Sequence, residues 1–213
     1  MKFTFAVALL AFVTKMHAQE YHLPFTERWF VIQGGDTLNV NHHMSVPSQW
    51  YGVDFVKVGG PDQRALSKST GSTRADFYGW GEPVLSPVDG EITAVLDGLP
   101  DNPIGVRDEK NPSGNHVIIA AATNRYVFIA HLQKGSVKVQ RGQRVKAGQE
   151  LGKCGNSGNS DYPHIHMHVQ NTAAPDEGEG QNILFKNINV ELTGKTFEKV
   201  HWPMIRGLFV WKK

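Results

Sequence analysis

The stretch Pro-His-Ile-His-Met-His-Val-Gln, residues 163–170, decides how this chain is to be read. Residues two apart in a β-strand share a face, about 6.7 Å from one another. His164, His166 and His168 therefore stand on one face. Ile165, Met167 and Val169 stand on the other, turned into a core. An apolar face opposite three imidazoles is a poor pattern for random surface histidines. One such imidazole can hold a metal while its neighbour reaches a water or substrate beside it. A His-x-His pair also occurs on exposed strand faces, so this stretch alone leaves both readings open.

Working outward, further β-type runs flank it: WFVIQ (29–33), GVDFVKV (52–58), GEITAVLD (90–97), HVIIAAA (116–122), YVFIAHL (126–132) and ILFKNINVEL (183–192). Turn signals separate them, among them Gly34-Gly35, Gly59-Gly60-Pro61, Asp97-Gly98 and the run from Gly155 to Ser160. No stretch of ordinary helical length carries a 3.6-residue period. The expectation is an all-β domain, mostly antiparallel sheet, forming a sandwich or a partly open barrel. At 213 residues, 40% hydrophobic and 20% charged, the chain has an ordinary globular balance and length enough for a core without disulfides. Its single cysteine, Cys154, excludes an internal disulfide and a Cys-rich zinc site.

The first twenty residues, MKFTFAVALLAFVTKMHAQE, have the layout of a secretory signal peptide: Lys2, an apolar run to Val13, and the small residue Ala18 before the cleavage point. The expected organisation is a signal peptide over 1–18 and one β domain over 19–213, with extension strands at both ends. No cysteine follows the apolar run, which argues against a lipid-anchored lipoprotein. Removing 1–18 takes Lys2 and Lys15 from 22 basic residues and none of the 20 acidic ones, leaving 20 against 20. The formal charge of +2 thus gives no support to a nucleic-acid partner. The expectation is a secreted or periplasmic monomer without stable membrane insertion.

Two other places carry side chains suited to the same chemistry. His131 ends the apolar run YVFIAHL; read alone, it is a half-buried core histidine. Asp54 lies between Val53 and Phe55, where a carboxylate is costly unless paired or bound to a metal. His42 and His43 precede it by a short loop. Histidine and aspartate are borderline-to-hard ligands, suited to zinc with three protein ligands and one open position, an arrangement that is catalytic rather than structural. Trp50, Tyr51, Tyr78 and Trp80 are placed by chain proximity beside Asp54 as a cleft lining; with Trp29 they would otherwise be core or rim aromatics.

The stretch GQRVKAGQELGKCGNSGNSDYPHIHMHV resembles the signature of the lysostaphin/LytM-type zinc endopeptidases, in which a Gly-rich turn leads into a Pro-His-x-His strand. WGEPVLSPVDGEITAV and YVFIAHLQKGSVKVQRG are similar to that family's preceding strands. NHHMSVPSQWYGVDF resembles a branch with Asn-x-His, a loop, and Gly/Ala-x-Asp-Phe. The resemblance runs from about Trp29 to Val169. It implies one zinc ion per chain held by His43, Asp54 and His166, with His131 and His164 as catalytic imidazoles. It implies hydrolysis of a peptide bond in bacterial peptidoglycan, in a cross-link or stem peptide, by a zinc-activated water. The ten residues between His43 and Asp54 exceed the three of better-known members. His168 and Cys154 receive no role. A catalytically inactive scaffold or activator of the same fold is the alternative. A biotinyl-type carrier, suggested by SPVDGEITAV, lacks the lysine-bearing hairpin tip.

Overall fold

The computed structural model describes residues 19–212; the expected signal peptide over 1–18 lies outside them. Thirteen strands follow in chain order: β1 (Glu20–Tyr21), β2 (Trp29–Gln33), β3 (Val53–Lys57), β4 (Pro83–Leu85), β5 (Gly90–Leu96), β6 (Asn115–Ala122), β7 (Arg125–Leu132), β8 (Arg144–Val145), β9 (Glu150–Lys153), β10 (Ile165–Gln170), β11 (Leu184–Leu192), β12 (Lys195–Pro203) and β13 (Phe209–Trp211). Three short 3-10 turns, at His42–Ser45, Pro47–Gln49 and Arg74–Asp76, are the helical pieces among the described residues. The all-β expectation holds, as one large sheet that does not close into a barrel.

The sheet runs β1-β11-β13-β2-β3-β10-β7-β6-β5-β8, with β12 on the far side of β11 and a separate β4–β9 ribbon. The pairings are antiparallel apart from β1 on β11. The short β1 lies at the N-terminal end of the described residues, and most of ILFKNINVEL forms β11.

β10 lies at the centre, between β3 and β7. Register places His166 opposite both Asp54 and Ala130, and Met167 opposite Val53 and Ile129. The odd-numbered side chains Ile165, Met167 and Val169 are fully buried. They share one core with Val53, Phe55, Val127, Ile129 and Trp29. The opposite face carries Asp54, His166 and His168. Slipping β10 by one residue would turn His166 and His168 into this core, so burial of the odd face enforces the register that keeps them on the side of Asp54.

Candidate metal centre

Four segments bring the candidate side chains together above β10. His43 comes from the 3-10 turn at His42–Ser45. Asn41 caps that turn: its Oδ1 accepts from the His43 amide at 3.2 Å, while its Nδ2 donates to the Gly35 and Gly52 carbonyls at 2.8 and 3.0 Å. The His43 ring donates from Nδ1 to Gln49 Oε1 at 3.1 Å. Its other nitrogen, Nε2, lies 3.0 Å from Asp54 Oδ2. That Nε2 is buried and makes no hydrogen bond. Asp54 Oδ1 stands 2.9 Å from His166 Nδ1 and 3.8 Å from His164 Nε2.

A glycine makes this approach possible. A Cβ on Gly52 would meet the His43 ring at 3.2 Å and the His166 ring at 3.3 Å. The two rings stand edge to face, with centroids 4.5 Å apart.

His131 reaches the site through an irregularity. β6 and β7 pair Val117 with Ile129 but Asn115 with Leu132, so β7 carries one extra residue there. In unbroken alternation His131 would share the core face with Ile129. The bulge, with His131 at φ 61°, turns it to the cleft instead. Its Nδ1 donates to the Ser157 carbonyl at 2.8 Å. His164 donates from Nδ1 to the Tyr162 carbonyl at 2.9 Å, with Ser160 Oγ 3.1 Å away. With Nδ1 of each ring turned to a carbonyl, Nε2 is the atom that each presents to the cleft. The two rings lie 4.6 Å apart.

The electrostatics follow from burial and from one charge. Burial resists ionisation of Asp54, but the facing His43 and His164 outweigh it and hold the carboxyl well below the usual carboxylate range. Burial pulls His43 down while the facing Asp54 charge more than compensates, so its pKa is raised. Burial, then its histidine neighbours, push His131 well below 6.5 and His166 down to about 4. A nitrogen lone pair and a carboxylate oxygen 3.0 Å apart repel unless a proton or a cation stands between them. His43 Nε2, the Asp54 carboxylate and His166 Nδ1 form a nitrogen and oxygen donor set that fits zinc.

The cleft over this floor has a volume of about 700 Å³. His42, His43, Asp54, His131, His164 and His166 all line it. His42 is exposed, and its ring lies against His43 at 4.1 Å. His42, His43 and Asp54 each offer a ligand atom within 4.8 Å of the others, so His42 stands near enough to compete for a cation.

The aromatic lining differs from expectation. Tyr162, stacked on Phe77 with centroids 5.6 Å apart, is the aromatic on the cleft wall. Trp80 packs under the Arg74 guanidinium and Tyr78 covers Gly59. Tyr51 borders a separate, smaller cavity, and Trp29 is core, stacked on Phe25. Trp50 also lies outside the cleft lining; its backbone packs against Gly180. Chain proximity to Asp54 misled because Trp50 and Tyr51, ahead of β3, pack beside Gly180 and the smaller cavity, while Tyr78 and Trp80, well beyond it, pack on Gly59 and Arg74. Cys154 is buried and its thiol is pushed far up by burial, which leaves it inert.

Sequence reasoning passed over several residues here. Arg107 and Asp161, paired Nε to Oδ1 at 2.7 Å on the cleft rim, come from loops 54 residues apart and carry no local signal. Gln170 did carry one, since it continues the alternation of His164, His166 and His168.

Residues 75–177 match the family described as Peptidase family M23. That stretch contains His131, His164, His166 and His168; His43 and Asp54 lie before it. The cell division protein DipM of Caulobacter vibrioides is 32% identical over 90 residues, 42% of this chain and 13% of that protein. The peptidoglycan DD-endopeptidase ShyC of Vibrio cholerae is 31% identical over 115 residues, 54% of this chain and 24% of that protein. The chain thus spans about a quarter or less of the curated relatives it matches. Among solved structures, the catalytic domain of the prophage-encoded M23 protein EnpA from Enterococcus faecalis is 20% identical. It covers 76% of this chain and 93% of that one, with a TM-score of 0.45.

Proposed function

We propose that this chain, which carries a peptidase family M23 domain over residues 75–177, is a secreted zinc-dependent endopeptidase that hydrolyses peptide bonds of bacterial peptidoglycan. The observation that carries the reading is the buried ion-pair contact of His43 Nε2 and Asp54 Oδ2, 3.0 Å apart with Nε2 outside hydrogen-bond geometry, beside His166 Nδ1. These three residues are the proposed ligands. A zinc ion held there supplies a Lewis acid that polarises the scissile carbonyl and lowers the pKa of a water towards about 7.

The remaining work falls to this chain's own residues. His164 Nε2, 3.8 Å from Asp54 Oδ1, faces the floor of the cleft as an acceptor and takes the proton from the attacking water. His131, held by Ser157 with its ring 4.6 Å from that of His164, presents its Nε2 beside it; charged by the proton that His164 has taken from the water, it steadies the developing oxyanion or returns that proton to the leaving amine. Both rings are pre-aimed by carbonyls, so little reorganisation is needed at the moment of reaction. Water adds across one amide, leaving a new carboxylate and a new amine. The relative ShyC, named a peptidoglycan DD-endopeptidase, supports this substrate class.

Mass spectrometry of purified peptidoglycan digested with the zinc-loaded chain tests this reading. New peptide termini are expected, lost on chelation and in Asp54→Asn, and restored to the wild type by added zinc. Digestion that survives complete zinc removal would overturn the metal mechanism. Zinc uptake with peptidoglycan binding but no cleavage would make the chain the inactive scaffold of the same fold.

A further inference from the structure

Behind His166 runs a line of buried polar groups that the proposed chemistry does not use. His166 Nε2 lies 2.8 Å from His168 Nδ1, and His168 Nε2 lies 3.2 Å from Gln170 Oε1. Gln170 Nε2 donates to the Thr172 and Ala174 carbonyls at 2.9 and 2.7 Å. His168 and Gln170 are buried, and the His168 ring lies flat on Phe128 with centroids 4.5 Å apart.

Direction in this line follows from its far end. Carbonyl oxygens only accept, so the group facing Thr172 and Ala174 must be the amide NH2 of Gln170. Its Oε1 then faces His168 Nε2, which must carry the proton. His168 Nδ1 is therefore an acceptor, and His166 must be protonated at Nε2. In the neutral ring that leaves His166 Nδ1 as a lone pair, 2.9 Å from Asp54 Oδ1. The opposite tautomer of His166 would donate from Nδ1 to Asp54 and satisfy the carboxylate with no cation. It would also set a lone pair of His168 against Gln170 Oε1, or else the Gln170 oxygen against two carbonyls.

We propose that Gln170 and His168 are positioning residues that hold His166 in its Nε2-protonated tautomer and so keep Nδ1 free as a metal ligand. The inference rests on the metal reading above. It adds a purpose for the third histidine of the strand, and it explains why that histidine is buried rather than solvent-facing. Thr172 and Ala174, on the loop after β10, are the fixed end of the line, so the fold of that loop sets the chemistry of the ligand.

Long-range 1H–15N correlation spectra of the histidine rings, recorded on the full chain with and without one equivalent of zinc, read the tautomers directly. Protons are expected on Nε2 of both His166 and His168 in both samples. Chelator competition then reads zinc affinity. His168→Phe, which keeps the stack on Phe128 but accepts nothing, is expected to weaken zinc binding about 10–100-fold. His168→Gln, which offers an acceptor to His166 Nε2, is expected to recover most of that loss. A His168 protonated at Nδ1, or a correctly folded His168→Phe chain that binds zinc like the wild type, overturns the relay while leaving the metal centre standing. Equal weakening in His168→Phe and His168→Gln, with His166 still protonated at Nε2, assigns His168 to packing and also overturns it. A wild-type chain that takes up no zinc overturns the metal reading and the relay with it.

Discussion

At the scale of single residues, the cleft is organised by where each imidazole proton is sent. His131 and His164 each send Nδ1–H to a main-chain carbonyl, Ser157 and Tyr162 respectively. His43 sends its own to Gln49. The three rings therefore turn Nε2 to the cleft, and of the site's imidazoles His43, through Nε2, and His166, through Nδ1, stand within 3.0 Å of Asp54. On the proposed function, this separates the residues that would hold a cation from those that would move a proton. His131→Ala is expected to lower peptidoglycan hydrolysis by about 10²–10⁴-fold while one zinc per chain is still bound. Metal analysis of the purified variant beside its hydrolysis rate is the check. A zinc-free His131→Ala chain would place His131 among the ligands instead.

At the scale of elements, the site depends on irregular pieces more than on regular strands. The single turn at His42–Ser45 is too short to hold itself and is fixed by Asn41, which is fully buried and makes three hydrogen bonds. Asn41→Ala removes the cap and leaves two carbonyls short of a donor. It is expected to cost about 2–4 kcal/mol of stability and to weaken zinc binding through His43. Denaturant unfolding of the metal-free chain measures the first, and chelator competition the second; an unchanged midpoint would remove Asn41 from this role. Asn41 was visible in the sequence only through the Asn-x-His resemblance, whereas its physical duty required Gly35 and Gly52 to be in place. The β7 bulge is a second such case. In YVFIAHL His131 reads as a core residue by alternation, and nothing local marks the extra residue that reverses it.

At the scale of the whole molecule, burial of so many histidines links folding to pH. Burial lowers the pKa of His22, His42, His116, His131, His166 and His168, while His43 is raised by Asp54. A group with a lowered folded pKa contributes stability that is present above its unfolded value, about 6.5 for histidine. That stability is lost as pH falls towards the folded value, which for His166 is about 4. His43 works the other way, its contribution being present below about 6.5 and lost as pH rises through its folded value. Six groups against one make acid destabilising. The melting temperature of the chelator-treated chain is expected to fall steadily from pH 6.5 to pH 4.5, above the range in which most carboxylates titrate. A flat profile over that interval would mean that these rings are not held neutral by the fold.

The strands β2, β3, β5, β6, β7, β10 and β11 and the two faces of β10 were legible in the sequence, and the resemblance implied the gathering of histidine with aspartate. Period-two alternation is a property of the local backbone, and the cost of an unpaired carboxylate between Val53 and Phe55 is local as well. Tertiary structure supplied the bulge by which His131 leaves the core, and it alone decided that Tyr162 rather than the tryptophans walls the cleft and that Arg107 meets Asp161 at its rim. It also decided that His168 is spent on His166. Each of these depends on register between distant strands or on a loop returning to a particular carbonyl, and no run of neighbouring residues carries that information.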